Sequence, residues 1–446
     1  MKRVVQISLV AYLAVNVYAA DEISKENREK SHSVKQIIQK VGAPKTKEVT
    51  LVKSVKDMFE QGTVKGRLIG MYSGHEVDND ADPYTTAVGG QLKYKLGVLN
   101  GFNAGVEFTT AHNVNFATGS GDTAIAGGEH NYYLSSEDGS YTEVSQAYIN
   151  YTYEDLNLRL GRQQIDTPFA DSDDIRIISN TFEAAMVTYE VSDFSLTAGY
   201  LSRWQGTDTG LSVDDAWQDT GDDGTYFGGV AYGVDAVDAS FWYYDISEAD
   251  NGNTATGNVA NKTAYADVSV HLNLSEDYFL HLSAQYSKQS ESDNSAIESE
   301  IYGAMGDLVI MEDFTLGFAY NKSEKKSGKG SFPGFGGGAL YTNMDNMIID
   351  AITLDRKSEA FVIGGAYSYN DFGFLYAYGD FDGDADSNGD KEHIVEQNIG
   401  VDYKVNDDLT IAGICVINDN KENTGSNAYF TEGDFINYRL WVTYNF

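Results

Sequence analysis

The stretch Ala264-Tyr265-Ala266-Asp267-Val268-Ser269-Val270-His271-Leu272-Asn273-Leu274 alternates without a break. Ala264, Ala266, Val268, Val270, Leu272 and Leu274 fall on one side, with Tyr265, Asp267, Ser269, His271 and Asn273 on the other. Successive side chains point to opposite faces in an extended strand, so this segment has one greasy face and one wet face. The following segment repeats the pattern, setting Tyr278, Leu280, Leu282, Ala284 and Tyr286 against His281, Ser283, Gln285 and Ser287. A strand standing between lipid and water has to read this way.

Working outward, a short motif recurs: an Asp, then Leu, Phe or Tyr, then renewed alternation. It occurs at Asp155-Leu156, Asp193-Phe194, Asp277-Tyr278, Asp313-Phe314, Asp371-Phe372 and Asp408-Leu409, with a weaker copy at Asp235-Ala236. Asp suits a tight turn because its carboxylate can accept from nearby backbone amides. The ring that often follows would begin the membrane band, where amphipathic aromatics prefer to sit. Between strand pairs lie long Gly-, Asp- and Ser-rich stretches, at 113–140, 205–224, 321–357 and 382–391. Short turns therefore alternate with long loops, which predicts an all-β, transmembrane antiparallel barrel of about 18 strands running from Val64 to Phe446. Its first strand and the last one, Ile436 to Phe446, would pair and leave no free edge in lipid. Pro83, Pro168 and Pro333 fall between the strands, as the missing amide requires.

The ends agree with export. Lys2 and Arg3, an apolar run from Val4 to Val17 and the small residues to Ala19 read as a signal peptide over residues 1–19. Residues 20–62 are Lys- and Glu-rich, with Val52, Val55 and Phe59 spaced like one helix face, and are expected to form a partly helical periplasmic extension before the barrel at 63–446. The last segment puts Tyr438, Leu440, Val442, Tyr444 and the terminal Phe446 on one face, and resembles the C-terminal signal read by barrel-assembly machinery. The single Cys415 makes no internal disulfide.

The net charge of −36 is uneven: residues 61–446 carry 20 basic against 60 acidic groups. Phosphates require positive partners, so a nucleic-acid partner is excluded. Enzyme signatures are missing too: the seven His are scattered without an H-E-x-x-H, and the Gly334 to Gly338 run lacks the Lys of a phosphate loop. No cofactor is implied. One loop, Asp384-Ala385-Asp386-Ser387-Asn388-Gly389-Asp390, fits the start of a calcium loop through Asp384, Asp386, Asn388 and Asp390, but its twelfth position is Val395 and Glu396 comes one step late. If it bound calcium it would brace an external loop.

The most informative loop follows Leu158 to Gln164. Between Ile165 and Phe182 it mixes Pro168, Phe169, Ile175, Ile177 and Ile178 with acids and one Arg. Apolar side chains like these need a surface to pack on. Folded into the barrel, this third loop would bury them on the inner wall and leave Asp171, Asp173, Asp174 and Arg176 beside the solute path. Here, through Val144 to Tyr153, Leu158 to Gln164, Pro168…Ser172-Asp173-Asp174…Arg176 and Thr181-Phe182-Glu183-Ala184, the chain resembles the OprD-like porins. That resemblance implies an inward third loop whose acids oppose a ladder of basic wall residues, and passive diffusion of small hydrophilic solutes.

With the acids in that role, alternation nominates Arg67, Lys93, Arg159 and Arg203 for the wall, opposite the outward Leu68, Leu92, Leu158 and Tyr200. A cation facing lipid at mid-membrane costs about 2 to 4 kcal/mol, which favours the inward side. Glu107, Asp238, Asp267, Glu396 and Asp402 also fall inward, so a preference for cations is expected. The competing reading is a structural barrel whose acidic external loops bind lipopolysaccharide or partners. The expected surroundings are outer-membrane lipid, lipopolysaccharide and the assembly machinery, and the architecture allows a homotrimer.

Overall fold

The computed structural model describes residues 52–77, 84–114, 134, 140–173, 176–209, 217–234, 236–249, 258–311, 313–325, 328–346, 357–385, 389–423 and 434–446. The signal peptide and most of the N-terminal extension lie outside the described residues, as do Asp174, Asp386 and Asn388.

Eighteen long strands follow one another around a single sheet. They are β1 (Thr63–Val77), β2 (Tyr84–Lys95), β3 (Phe102–Asn113), β4 (Ser140–Tyr153), β5 (Leu156–Gln163), β6 (Thr181–Val191), β7 (Phe194–Gln205), β9 (Thr225–Val234), β10 (Val237–Ile246), β11 (Asn261–Asn273), β12 (Tyr278–Glu291), β13 (Ser299–Ile310), β14 (Phe314–Lys325), β15 (Ser358–Tyr369), β16 (Phe372–Gly383), β17 (Glu392–Lys404), β18 (Leu409–Asn423) and β19 (Phe435–Asn445). A two-residue strand, β8 (Gln218–Asp219), is only a side pairing on the end of β7. Every long strand is antiparallel to its neighbours, and β1 pairs with β19 from Arg67↔Asn445 to Val77↔Phe435, so the sheet closes. Closure satisfies the backbone groups that an edge would expose to lipid.

The expected alternation is visible as exposure. Large apolar side chains such as Leu68, Phe318, Ile363 and Leu440 stand exposed, each flanked by buried neighbours. The exposed set is the lipid face, because the buried set is what the internal loops pack on. Two aromatic rows bound it. At the turn rim Phe102–Tyr151, Phe194–Tyr232 and Phe372–Tyr403 pair at 4.5, 4.8 and 4.5 Å. At the loop side Tyr200–Tyr226 and Tyr286–Tyr302 pair at 4.9 and 5.2 Å. Aromatic girdles of this kind mark the two membrane–water interfaces.

The turn motif works differently from expectation. The recurring contact is made by the backbone carbonyl of the turn residue, which accepts an amide from the next hairpin: Glu190 N–H donates to Asp155 O at 3.0 Å, Met311 to Asp277 and Ser368 to Asp313 at 2.8 Å, and Lys404 to Asp371 at 2.9 Å. Each tight turn is thereby stapled to the following one around the rim. Helix α1 (Val55–Glu60) sits on this rim, N-capped by Ser54, with Gly97 N–H donating to Met58 O at 2.9 Å. Within the helix Met58 is buried while Val55 and Phe59 are exposed, so of the predicted apolar face only Val52, which precedes the helix, is buried.

Candidate pore constriction and wall

The third loop, residues 164–180, joins β5 to β6 and packs on the inner wall. Ile165, Phe169, Ile177 and Ile178 are all buried to 1 % exposure or less. The Phe169 ring meets Tyr244 and Tyr265 edge-on at 5.5 and 5.9 Å, on inward positions of β10 and β11. At its other end Ile177 lies against β2, where a Cβ on Gly89 would stand 2.8 Å from its Cγ2. Ile177 and Ile178 join Ile69, Met71 and Trp441 of β1 and β19 in one buried cluster. In an eighteen-strand ring β10 and β1 are nearly opposite, so the loop crosses the barrel.

A second loop, between β14 and β15, also lies inside, although its glycines read as an external loop in the sequence. Its Phe332 and Phe335 pack on Phe169 and Trp204, at 6.4 and 5.6 Å. Phe335 exchanges backbone hydrogen bonds with the third loop, its N–H donating to Phe169 O at 3.0 Å and its carbonyl accepting from Asp171 N–H at 2.9 Å. Wall amides hold the loop backbone: Gln289 Nε2 donates to Phe332 O and Gln289 Oε1 accepts from Phe332 N–H, both at 2.7 Å. Leu340 and Met344 then pack on Met305, Val362 and Phe381, and Asp345 pairs with the buried Arg439 of β19. Gly336 has φ +82, and a Cβ there would stand 2.4 Å from both Asn180 Nδ2 and Asp171 O, so only glycine fits between the loops.

The acids of the third loop organise its tip. Asp166 Oδ1 accepts from Ser172 Oγ at 2.5 Å, and Asp171 Oδ1 accepts from Asp173 N–H at 2.8 Å, where Asp173 has φ +39. Asn180 Nδ2 donates to Asp208 Oδ2 at 2.6 Å, bringing in a carboxylate from the loop after β7. Burial, then the neighbouring Asp208, push the Asp173 carboxyl well above the usual carboxylate range, with Arg176 pulling the other way and Asp171 adding to the rise. Asp171, Asp173 and Arg176 are thus brought together with Asp208, which sequence reasoning missed because nothing in its polar loop distinguishes it. Asp174 lies outside the described residues.

Of the nominated wall cations, three face inward. Lys93 Nζ donates to Gln146 Oε1 at 2.9 Å and lies 3.7 Å from Glu107 Oε2. Arg159 donates through Nε to Asn150 Oδ1 at 3.2 Å and stacks 4.7 Å from the Tyr148 ring, with Lys93 at 5.8 Å from the same ring. Arg67 is buried between Gln91 and Asn445 in the ladder. Lys65, which stands opposite Lys93, and Lys95 belong to the same inward set and share its parity, so alternation could have found them. The loop docks beside this set, Gln91 Nε2 donating to Ser179 Oγ at 3.0 Å.

Arg203 faces the other way. A bulge between Glu183 and Ala184 adds a residue to β7, so Leu201 and Trp204 both point inward and Arg203, next to Trp204, points out. It pairs with Glu183 at 2.8 Å, while Trp217 is flanked by Arg162 at 4.5 Å and Arg203 at 5.4 Å. Counting odd and even positions fails across a bulge, and this assignment is corrected accordingly. The acids expected inward are there: Glu107, Asp238 and Glu396 are buried, and Asp267 and Asp402 lie on the same face. Asp238 Oδ2 accepts from His271 Nε2 at 2.7 Å, and His271 stacks on His281 at 4.6 Å near the turn rim.

For the calcium-like loop only Asp384 and Asp390 of the four candidates are described. Among the described residues no group of three or more His, Cys, Asp or Glu is arranged to hold a metal ion. Glu396 is occupied elsewhere, accepting from Asn346 N–H at 3.2 Å inside the barrel.

A family model for Gram-negative porins matches residues 242–423. No curated protein matches the sequence. Among solved structures the chain is similar to Acinetobacter baumannii OccAB4 (TM-score 0.70, 15 % identity, 86 % of this chain and 98 % of that one). It is also similar to Pseudomonas aeruginosa OccK9 (0.69, 14 %, 87 % and 99 %) and to P. aeruginosa OpdK solved with vanillate (0.68, 16 %, 87 % and 99 %). At these identities the likeness is one of fold.

Proposed function

We propose that this chain is an outer-membrane porin, not an enzyme, whose solutes pass between a basic wall and an acidic loop tip. Passage is passive: neither energy coupling nor a cofactor enters, and rate follows from width and charge. The observation that carries the reading is the inward row of Lys65, Lys93, Lys95 and Arg159 on β1, β2 and β5, with the loop bearing Asp171 and Asp173 docked on Gln91 of the same β2. Opposed charges along a narrow wet path orient dipolar solutes and filter by charge. The net preference is for cations, since Asp166, Asp208, Asp267 and Asp402 add to the acidic side. A planar-bilayer recording in a salt gradient tests it, and an anion-selective reversal potential overturns it.

The finer partners belong to the same proposal. Phe446 remains exposed at the chain end, stacked on Tyr444 at 6.2 Å, where assembly machinery can read it. Lipopolysaccharide surrounds the loop side, and a homotrimer is distinguished from a single barrel by native mass spectrometry in detergent.

A further inference from the structure

Two apolar side chains of α1 have no seat on the barrel. Val55 and Phe59 lie four residues apart, on one face of the helix, and are 61 % and 57 % exposed. Met58 is buried, its carbonyl accepts from Gly97 N–H at 2.9 Å, and Val52 N–H donates to Val98 O at 3.0 Å. One side of the helix is therefore fastened to the β2–β3 turn, and the other is open.

The fastening sets α1 at the edge of the lipid face. Tyr94 Oη donates to Phe59 O, and Gly62 lies directly against the Tyr94 ring. Tyr94 stands opposite Val64 in the ladder and shares the outward side with Leu92, both of them exposed. Phe102 of the next strand pairs with Tyr151 in the turn-rim aromatic row. Rings of this row mark the membrane–water interface, so the open apolar face of α1 begins where the lipid face ends.

The chain that arrives at α1 differs in charge from the barrel. From Lys30 to Lys47 it carries five lysines and no acid, whereas residues 61–446 hold 20 basic against 60 acidic groups. Val34, Ile37, Ile38 and Val41 recur through the same run at i, i+3, i+4 and i+7. The run lies outside the described residues. A basic sequence with that apolar spacing has the composition that binds anionic membrane surfaces.

We propose that α1 is the inner end of an interfacial anchor, with Val55 and Phe59 entering the periplasmic leaflet and the preceding lysines lying along anionic phospholipid headgroups. Apolar insertion and charge act together in such anchors, and neither holds well alone. A protein partner fits this face less well, because two side chains fall far short of the roughly 800 Å² a side that a stable protein interface buries. The anchor governs how the barrel sits in its membrane, not what passes through it. It rests on the tight-turn rim being periplasmic.

The test is a nitroxide at position 59 of the full-length chain, attached through Phe59→Cys with Cys415→Ser, in nanodiscs of zwitterionic phospholipid with or without anionic phospholipid. With anionic phospholipid present, the label should collide more with dissolved oxygen than with a water-soluble nickel complex. Trypsin should then cut the lysine run about tenfold more slowly than in purely zwitterionic nanodiscs, an advantage that high salt removes. A label that meets the nickel complex as freely as one in water, with Val55→Cys agreeing, overturns the proposal. So does equal cleavage with and without anionic phospholipid, which would seat the lysines on the acidic turns of the barrel itself. Absence of any channel in the wild-type chain would instead overturn the porin reading and leave the anchor standing.

Discussion

Phe335 and Phe169 belong to loops 166 residues apart in sequence, yet the amide of Phe335 donates to the carbonyl of Phe169 at 3.0 Å inside the barrel. The two loops that cross the lumen are therefore one unit. Either alone would leave apolar rings facing water; together they share a buried aromatic cluster with Trp204, Tyr244 and Tyr265.

Removing that lock should widen the path. Phe335→Ala deletes a ring buried to 3 % exposure, a change that costs about 3 to 5 kcal/mol in a well-packed core. Single-channel recordings should show larger conductance and more frequent current fluctuations, with the barrel itself still resistant to unfolding in detergent. Unchanged conductance would mean that the loops do not narrow the path.

Charge selectivity should respond to the wall cations that face inward and ignore the one that does not. A unit charge about 4 Å from an ion in water is worth about 1 kcal/mol, or roughly a fivefold change in permeability ratio. Lys93→Gln and Arg159→Gln should each shift the reversal potential toward cations by about that much. Arg203→Gln should leave it unmoved, because its guanidinium sits against Glu183 on the outer face.

The acidic tip should make selectivity depend on pH. Asp173 holds its proton in the folded loop to higher pH than in an unfolded chain, because burial and Asp208 disfavour its charge. Its contribution to loop stability is thus full below the ordinary carboxylate range and is lost as pH rises through the folded value. Over a series from about pH 4 to about pH 8, cation preference should strengthen with rising pH in the wild-type channel. Asp173→Asn should flatten that dependence.

Closure should depend on the last residue. Gly66 and Phe446 exchange backbone hydrogen bonds at 2.9 Å in both directions, and a Cβ on Gly66 would fall 2.2 Å from the Phe446 ring. Gly66→Val overpacks this seam, at a cost of about 1 to 3 kcal/mol. A lower unfolding temperature, read as loss of the heat-modifiable band on gels, is the expected result, with conductance of the folded fraction intact.

Strand number, closure and the lipid face were legible along the chain, since a period of two over segments such as Ala264 to Leu274 has no other physical solution once both solvents are named. Apolar content in the third loop announced that it must pack on something. The same signal in Phe332, Phe335, Leu340 and Met344 went unread because the glycines around them look like those of a free loop. In the fold, Gly334, Gly336 and Gly337 at positive φ are what let that loop turn back inside.

What only the tertiary structure decided is which charges meet. Local alternation determines the side of the wall on which a residue stands until a bulge resets it, as at Arg203, and no local rule links Asp208 to Asp173 or Arg439 to Asp345. Those pairs are made by loops crossing a closed ring, and contacts across a ring depend on the number and stagger of all its strands.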